Sequence, residues 1–273
     1  MLARPGLTLL LLIAIVAPIS AQVVRFETSV GSFDMVLNPT NNARLQGHVD
    51  NMLDYVSDHQ YDGSWINRAD TGFVLQMGGF FSNTKRSPIT VESVRPVRTL
   101  DPIEGAPGIA NLSNTVGTVS MALPGGVGGT NQDGGTSSFF VNLGSNTFLD
   151  ADFTVFAAIS DMTVVNQIMA LSKVDRTTDP VFGAGSGNLA FSDVPIQANS
   201  QQVFIKRAFV ISDAMSVARA MAGVQSATAQ SLASFGDGSS SPSFASSAVP
   251  EPTTAAMLLL GTLSLFGFRR RSR

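Results

Sequence analysis

A mainly β fold is predicted by three observations. Short apolar runs recur along the chain, separated by glycine, proline and asparagine turns. Within Ser32–Leu37, Phe33, Met35 and Leu37 alternate with Ser32 and Asp34, the period of a half-buried strand. Clear three-and-four spacing, the mark of a helix packed on one side, is found in two stretches.

Composition bounds the rest. The chain has 273 residues, 44% hydrophobic and 14% charged, with a net charge of -3, enough for one large domain or two small ones plus extra apolar segments. A mildly acidic balance argues against nucleic-acid binding, which needs a basic face. No cysteine is present, so disulfides, thiol catalysis and thiolate metal sites are excluded. An exported form would be held by its core alone, which a domain of roughly 190 residues can manage.

The N-terminus carries Arg4, an apolar run from Leu7 to Ala17 and then Pro18-Ile19-Ser20-Ala21. This pattern predicts a signal peptide over 1–21, cleaved after Ala21. The run is short for a membrane span of about 20 residues. Val23–Thr28 and Ser32–Leu37 predict a hairpin turned by Ser29-Val30-Gly31. Asn38-Pro39-Thr40-Asn41 breaks the strand and offers helix caps. Leu45, Val49, Met52, Leu53 and Val56 then predict an amphipathic helix. His48 and His59 are the only histidines. Neither has a partner at ligand spacing, so surface or cap roles are expected and no metal site.

The segment Tyr61–Phe80 gathers Arg68, Gln76 and several large aromatics around the turn Asp70-Thr71-Gly72, followed by Gly78-Gly79. Apolar walls with a few fixed polar groups describe a pocket for a small ligand or a peptide. Pro124–Gly135 is glycine-rich but lacks the lysine-serine/threonine ending of a phosphate loop, so a mobile loop beside a groove is expected. Val164, Val165, Ile168 and Leu171 predict a second helix, with Asp161 or Thr163 as its cap. Lys173–Asn199 is irregular, and Val203–Ile211 is a last apolar strand.

After residue 212 the composition changes. Met215–Ala233 predicts a weak helix, and Gly236–Ala248 is a serine/glycine-rich linker that cannot bury a core. The expected division is therefore a domain over 22–212, a low-complexity linker over 213–248 and a terminal segment over 249–273. That segment joins Val249-Pro250-Glu251-Pro252 to an apolar run, Thr253–Phe268, and the basic cluster Arg269–Arg273. An apolar run closed by arginines predicts membrane association with the positive end on the cytoplasmic side.

Three blocks carry a resemblance. Tyr61-Asp62-Gly63-Ser64, Asn67-Arg68, Gly72-Phe73-Val74, Gln76, Gly78 and Phe80 resemble the cyclophilin-type peptidyl-prolyl isomerases. Gly117–Ala122 with Thr136–Val141, and Phe148–Phe156, continue the match in the same order, so that it runs from about Val23 to Ile211. The resemblance implies a closed eight-stranded antiparallel β-barrel capped by two helices. Closure removes the sheet edges that invite aggregation.

It also implies an enzyme that isomerises X-Pro bonds in proline-containing clients, without cofactor or metal. Carried over residue by residue, Arg68 falls on the catalytic arginine and Gln76 on the amide that holds substrate and orients it. Phe73, Phe140 and Leu149 fall on the proline-ring pocket, with Val74 at its wall; Met121, Phe148 and Phe153 complete the substrate-binding set. Phe139 and Phe140 must face opposite sides of a strand, and the match assigns Phe140 to the pocket and Phe139 to packing. Asn67, Thr71, Met77, Gly79, Leu123 and Ser138 depart from the family pattern. Leu123 and Ser138 stand where peptide-binding amides are usual, so weaker peptide affinity is expected more than a slower twisting step. A non-catalytic module that binds proline-containing segments of surface or matrix proteins is the rival reading.

The tail resembles the PEP-CTERM sorting signal of exopolysaccharide-producing Gram-negative bacteria. That implies transient membrane retention, cleavage near Val249–Pro252 by an exosortase-type enzyme, and a barrel working outside the cytoplasm, at the cell surface or in the extracellular matrix.

Overall fold

The computed structural model describes residues 22–83, 86–90, 111–123, 134–178, 189–212 and 214–234. The expected signal peptide, residues 124–133 of the glycine-rich loop, and the linker and tail from residue 235 lie outside the described residues. The chain divides into a compact unit up to Leu232 and a second unit from Ala233 to Arg273.

The hairpin forms as its alternation requires: β1 (Val23–Thr28) pairs with β2 (Ser32–Leu37), Phe26 opposite Phe33. Thr28 closes the turn, its hydroxyl donating to Gly31 O at 2.7 Å. A 3-10 turn (Ala43–Leu45), capped by Asn42, leads into α1 (Gln46–Ser57). Then follow β3 (Ser64–Asp70), β4 (Val74–Asn83), β5 (Arg86–Thr90), β6 (Thr118–Met121), β7 (Phe139–Asn142) and β8 (Val155–Ile159). After α2 (Thr163–Met169) come β9 (Ser172–Val174), β10 (Val194–Ile196), β11 (Ile205–Val210) and α3 (Ala214–Ser234). At the head of α2, Asp161 Oδ1 accepts from Thr163 N at 2.8 Å and from its hydroxyl at 2.6 Å.

One antiparallel sheet runs β11-β1-β2-β8-β6-β7-β4-β3, with β5 added to β4. Its two ends nearly meet: Trp65 in β3 bridges Phe204 beside β11, and Gly63 N donates to Ile205 O at 2.8 Å. The result is a nearly closed eight-stranded barrel. Its interior is one apolar cluster in which Phe26 contacts Phe33, Tyr61 and Phe139 at centroid distances of 5.4, 5.6 and 5.4 Å. Gly78 is demanded by this packing. It has φ +84°, and a Cβ there would lie 2.8 Å from Ser137 O and 2.9 Å from the Tyr61 ring.

The 3-10 turn, α1 and α2 pack on the barrel through Leu45, Val49, Met52, Val56, Val165 and Ile168. Past the border expected at residue 212, α3 also packs on the sheet. Ala220 and Val224, with Val217 and Met221, lie against Val23, Val36, Ala158 and Ile211. No helix among the described residues is long and apolar enough to cross a membrane.

His48 overturns an expectation. It is buried on the inner side of α1, stacked on Phe156 at 6.0 Å, rather than exposed or capping. The three-and-four spacing of α1 already places position 48 beside Val49 and Met52, so the barrel covers it. Burial holds its pKa at about 4, below the usual 6.5. The unfolded chain therefore takes up a proton first as pH falls. The resulting stability is complete above about pH 6.5, erodes through the window down to about pH 4, and amounts to about 3 kcal/mol. Thermal unfolding of the wild type and of His48→Leu between pH 7 and pH 4 checks this: the wild type should lose stability more steeply across that window than the variant. Equal slopes would refute a buried neutral His48. His59 does lie exposed, 3.2 Å from Asp62 across the end of α1.

Candidate active site on the outer face of the barrel

A bulge creates the site. In β3, Ile66 is opposite Met77 but Arg68 is opposite Gln76, two steps against one. Plain alternation would send Arg68 to the same face as Ile66, the barrel interior. The bulge resets the phase, so Ile66 and Ala69 both face the core while Arg68 and Asp70 face out. On β4, Leu75 and Met77 face the core, which leaves Val74 and Gln76 on the outer face. Phe139 and Val141 of β7 likewise face in, and Phe140 faces out opposite Gln76.

These outward residues meet. Val74, Phe140, Leu149 and Phe153 form a buried apolar cluster on which Phe73, Ala122 and Leu123 pack. Phe140 and Phe153 make an edge contact at 5.6 Å. Phe148 is 62% exposed and stacks on Phe73 at 6.1 Å, forming a rim that is open to solvent. The Arg68 guanidinium carbon sits 5.5 Å from the Phe73 ring centroid. Gln76 Nε2 donates to Ser138 Oγ at 3.4 Å. Met121 stands apart: it lies in the barrel core, not in this cluster. Alternation in β6 explains it, since Val119 and Met121 share the inner face.

Among the described residues the partner that holds Arg68 is Asp70, not Gln76. Arg68 Nη2 donates to Asp70 Oδ2 at 2.7 Å, while Arg68 Nε is buried without a hydrogen-bond partner among the described residues. Asn67, the extra residue of the bulge, donates to Ala190 O at 2.8 Å. Trp65 packs with Phe191 and Val194 on that same outer layer of the molecule.

Beneath the apolar cluster lies a polar network that carries no motif in the sequence. Asn114 Nδ2 donates to Asp150 Oδ1 at 2.9 Å and to Phe153 O at 3.1 Å. Its Oδ1 accepts from Ser120 Oγ at 2.6 Å and from Asn142 Nδ2 at 3.1 Å. Asn146 Nδ2 donates to Asn142 Oδ1 and to Phe73 O, both at 2.9 Å. The amides thus tie the Phe73 wall to the segment bearing Leu149 and Phe153. The one signal in the sequence was Asn142 at the end of the apolar run Phe139–Asn142, where a buried amide must find partners. No group of three or more His, Cys, Asp or Glu among the described residues is placed to hold a metal ion.

Residues 23–183 match the model of the cyclophilin type peptidyl-prolyl cis-trans isomerase/CLD family. The chain belongs to the cyclophilin family. Its cyclophilin region is 33% identical over 127 residues to peptidyl-prolyl cis-trans isomerase A of Dickeya dadantii, covering 46% of this chain and 57% of that relative. It is 32% identical over 151 residues to a peptidyl-prolyl cis-trans isomerase of Acinetobacter baylyi, covering 53% of this chain and 70% of that relative. The chain thus spans little more than half the length of the first of these isomerases. A crystal structure of a Cryptosporidium parvum cyclophilin type isomerase is similar at a TM-score of 0.46 and 18% identity, covering 71% of this chain and 99% of that one. Outside the cyclophilin barrel, residues 248–273 match the PEP-CTERM protein-sorting motif.

Proposed function

We propose that this cyclophilin is an exported prolyl isomerase that assists the folding of proteins outside the cytoplasm, acting on proline-containing segments. The observation that carries the reading is the meeting of Arg68 and the Val74–Phe140–Leu149–Phe153 cluster on one open face.

The chemistry asks for little more. An amide resists rotation by about 18–20 kcal/mol because the nitrogen lone pair is delocalised into the carbonyl. The two X-Pro isomers differ by only about 0.5–1 kcal/mol, so the barrier alone is the obstacle. At the top of that barrier the amide is twisted and its nitrogen has regained the lone pair. A permanently charged donor stabilises that electron density more than it stabilises the planar amide. The apolar cluster grips the ring while Phe73 covers one side of the guanidinium, which strengthens its action. Gln76, opposite Arg68 on the neighbouring strand, supplies a side-chain amide within the same face. No nucleophile, acid or metal enters.

An NMR exchange assay of the full chain on an Ala-Pro peptide tests the reading. Exchange no faster than the uncatalysed rate sinks it, and leaves the binding module that Leu123 and Ser138 favour.

The motif at residues 248–273 supports export with membrane retention, followed by processing by an exosortase-type enzyme. The mature C-terminus is then expected near Val249–Pro252. Intact mass measurement on the surface fraction checks this; a final surface form that still ends in Arg273 refutes the processing.

A further inference from the structure

Asp70 has no assigned role, yet it makes the ion pair nearest to the proposed chemistry. As first residue of the turn Asp70–Phe73 it would ordinarily bond its side chain to the backbone further on. Here the turn is closed by the backbone alone, Phe73 N donating to Asp70 O at 3.1 Å, with Gly72 at φ +74°. The carboxylate is turned instead to the guanidinium, Oδ2 lying 2.7 Å from Arg68 Nη2, on the outer face that the β3 bulge assigns to both residues. The side chains are 18% and 32% exposed, so the pair sits at the mouth of the site, open to an incoming peptide.

We propose that Asp70 is a brake on Arg68: its carboxylate occupies one arm of the guanidinium and offsets the positive potential that the twisted prolyl nitrogen needs. This inference rests on the isomerase reading of the same face. A lone cation acts on the developing lone pair as a charge. A cation with a carboxylate in contact acts as a dipole, whose field falls faster with distance. The substrate must either accept the weakened field or displace the carboxylate, and displacing it costs what the ion pair is worth. For a pair this exposed that worth is modest, so release corresponds to about a two- to five-fold gain in rate. Positioning of the guanidinium survives the loss, because Phe73 lies under it at 5.5 Å.

The test is steady-state isomerisation by the full chain and by Asp70→Asn, Asp70→Ala and Asp70→Glu. The first two variants should raise kcat/KM about two- to five-fold, mainly in kcat. Asp70→Glu, which keeps a carboxylate within reach, should stay at the wild-type rate. Wild-type catalysis that is unchanged or slowed in both Asp70→Asn and Asp70→Ala overturns the brake alone. Absence of catalysis in the wild type and in both variants removes the isomerase reading along with it. Two chemically different replacements guard against one of them disturbing the turn.

Discussion

Arg68→Ala should lower kcat/KM for an Ala-Pro peptide by about 10²–10³-fold, the usual cost of removing one preorganised donor aimed at developing charge. The loss should fall mainly on kcat. The apolar cluster of Val74, Phe140, Leu149 and Phe153 would still bind the proline ring, whereas the donor acts chiefly on the twisted amide. Folding should survive, because Arg68 lies outside the core and its one ion pair is partly exposed. Arg68→Lys keeps a charge but loses the planar fork, and should recover only part of the rate. The measurement is NMR line-shape or protease-coupled exchange beside a thermal melt. If the alanine variant turns over as fast as the wild type, the guanidinium is not the catalyst and the outer face is a binding surface.

Asn114→Ala should be the most damaging single change to the scaffold of the site. The side chain joins Asp150, Phe153, Ser120 and Asn142. Truncation strands several buried polar groups at about 1–3 kcal/mol each, so a loss of about 3 kcal/mol or more is expected. For a domain of this size that lowers Tm by about 10 °C. Activity should fall as well, through KM, because the segment carrying Leu149 and Phe153 loses its anchor to the Phe73 wall. Asn114→Asp, nearly the same shape, should be no better. It cannot donate to Asp150 or to the Phe153 carbonyl, and it would bury a second negative charge beside the first. A melt of either variant within a degree or two of the wild type would show that the amide network contributes nothing to the fold.

Much of the architecture was legible because it rests on local periodicity. The β1–β2 hairpin ends where alternation and Gly31 say it should, and α1 and α2 follow their three-and-four spacing. The last apolar run becomes β11, which pairs with β1. At the site, the three motif blocks name residues that do converge on the outer face, apart from Met121, which alternation in β6 turns into the core. Leu123, a departure from the family pattern, packs on the cluster without being buried in it.

What lay beyond reach depends on residues far apart in the chain. Burial of His48 needs Phe156 from β8, far along the chain, and the packing of α3 needs a sheet surface built from three other strands. Asn114 and Asn146 look like loop residues until the fold brings them together with Asn142 around Asp150 and the Phe73 carbonyl.

The sequence by itself determined a β-rich chain with two helices, the family of its barrel, the sorting motif at its end, and a short catalogue of outward side chains. Only the tertiary structure decided which face Arg68 takes and what holds it there. Alternation is a local rule that would have turned this arginine inward. The bulge that reverses it exists because two strands pair with unequal steps, and a strand cannot specify that without its neighbour.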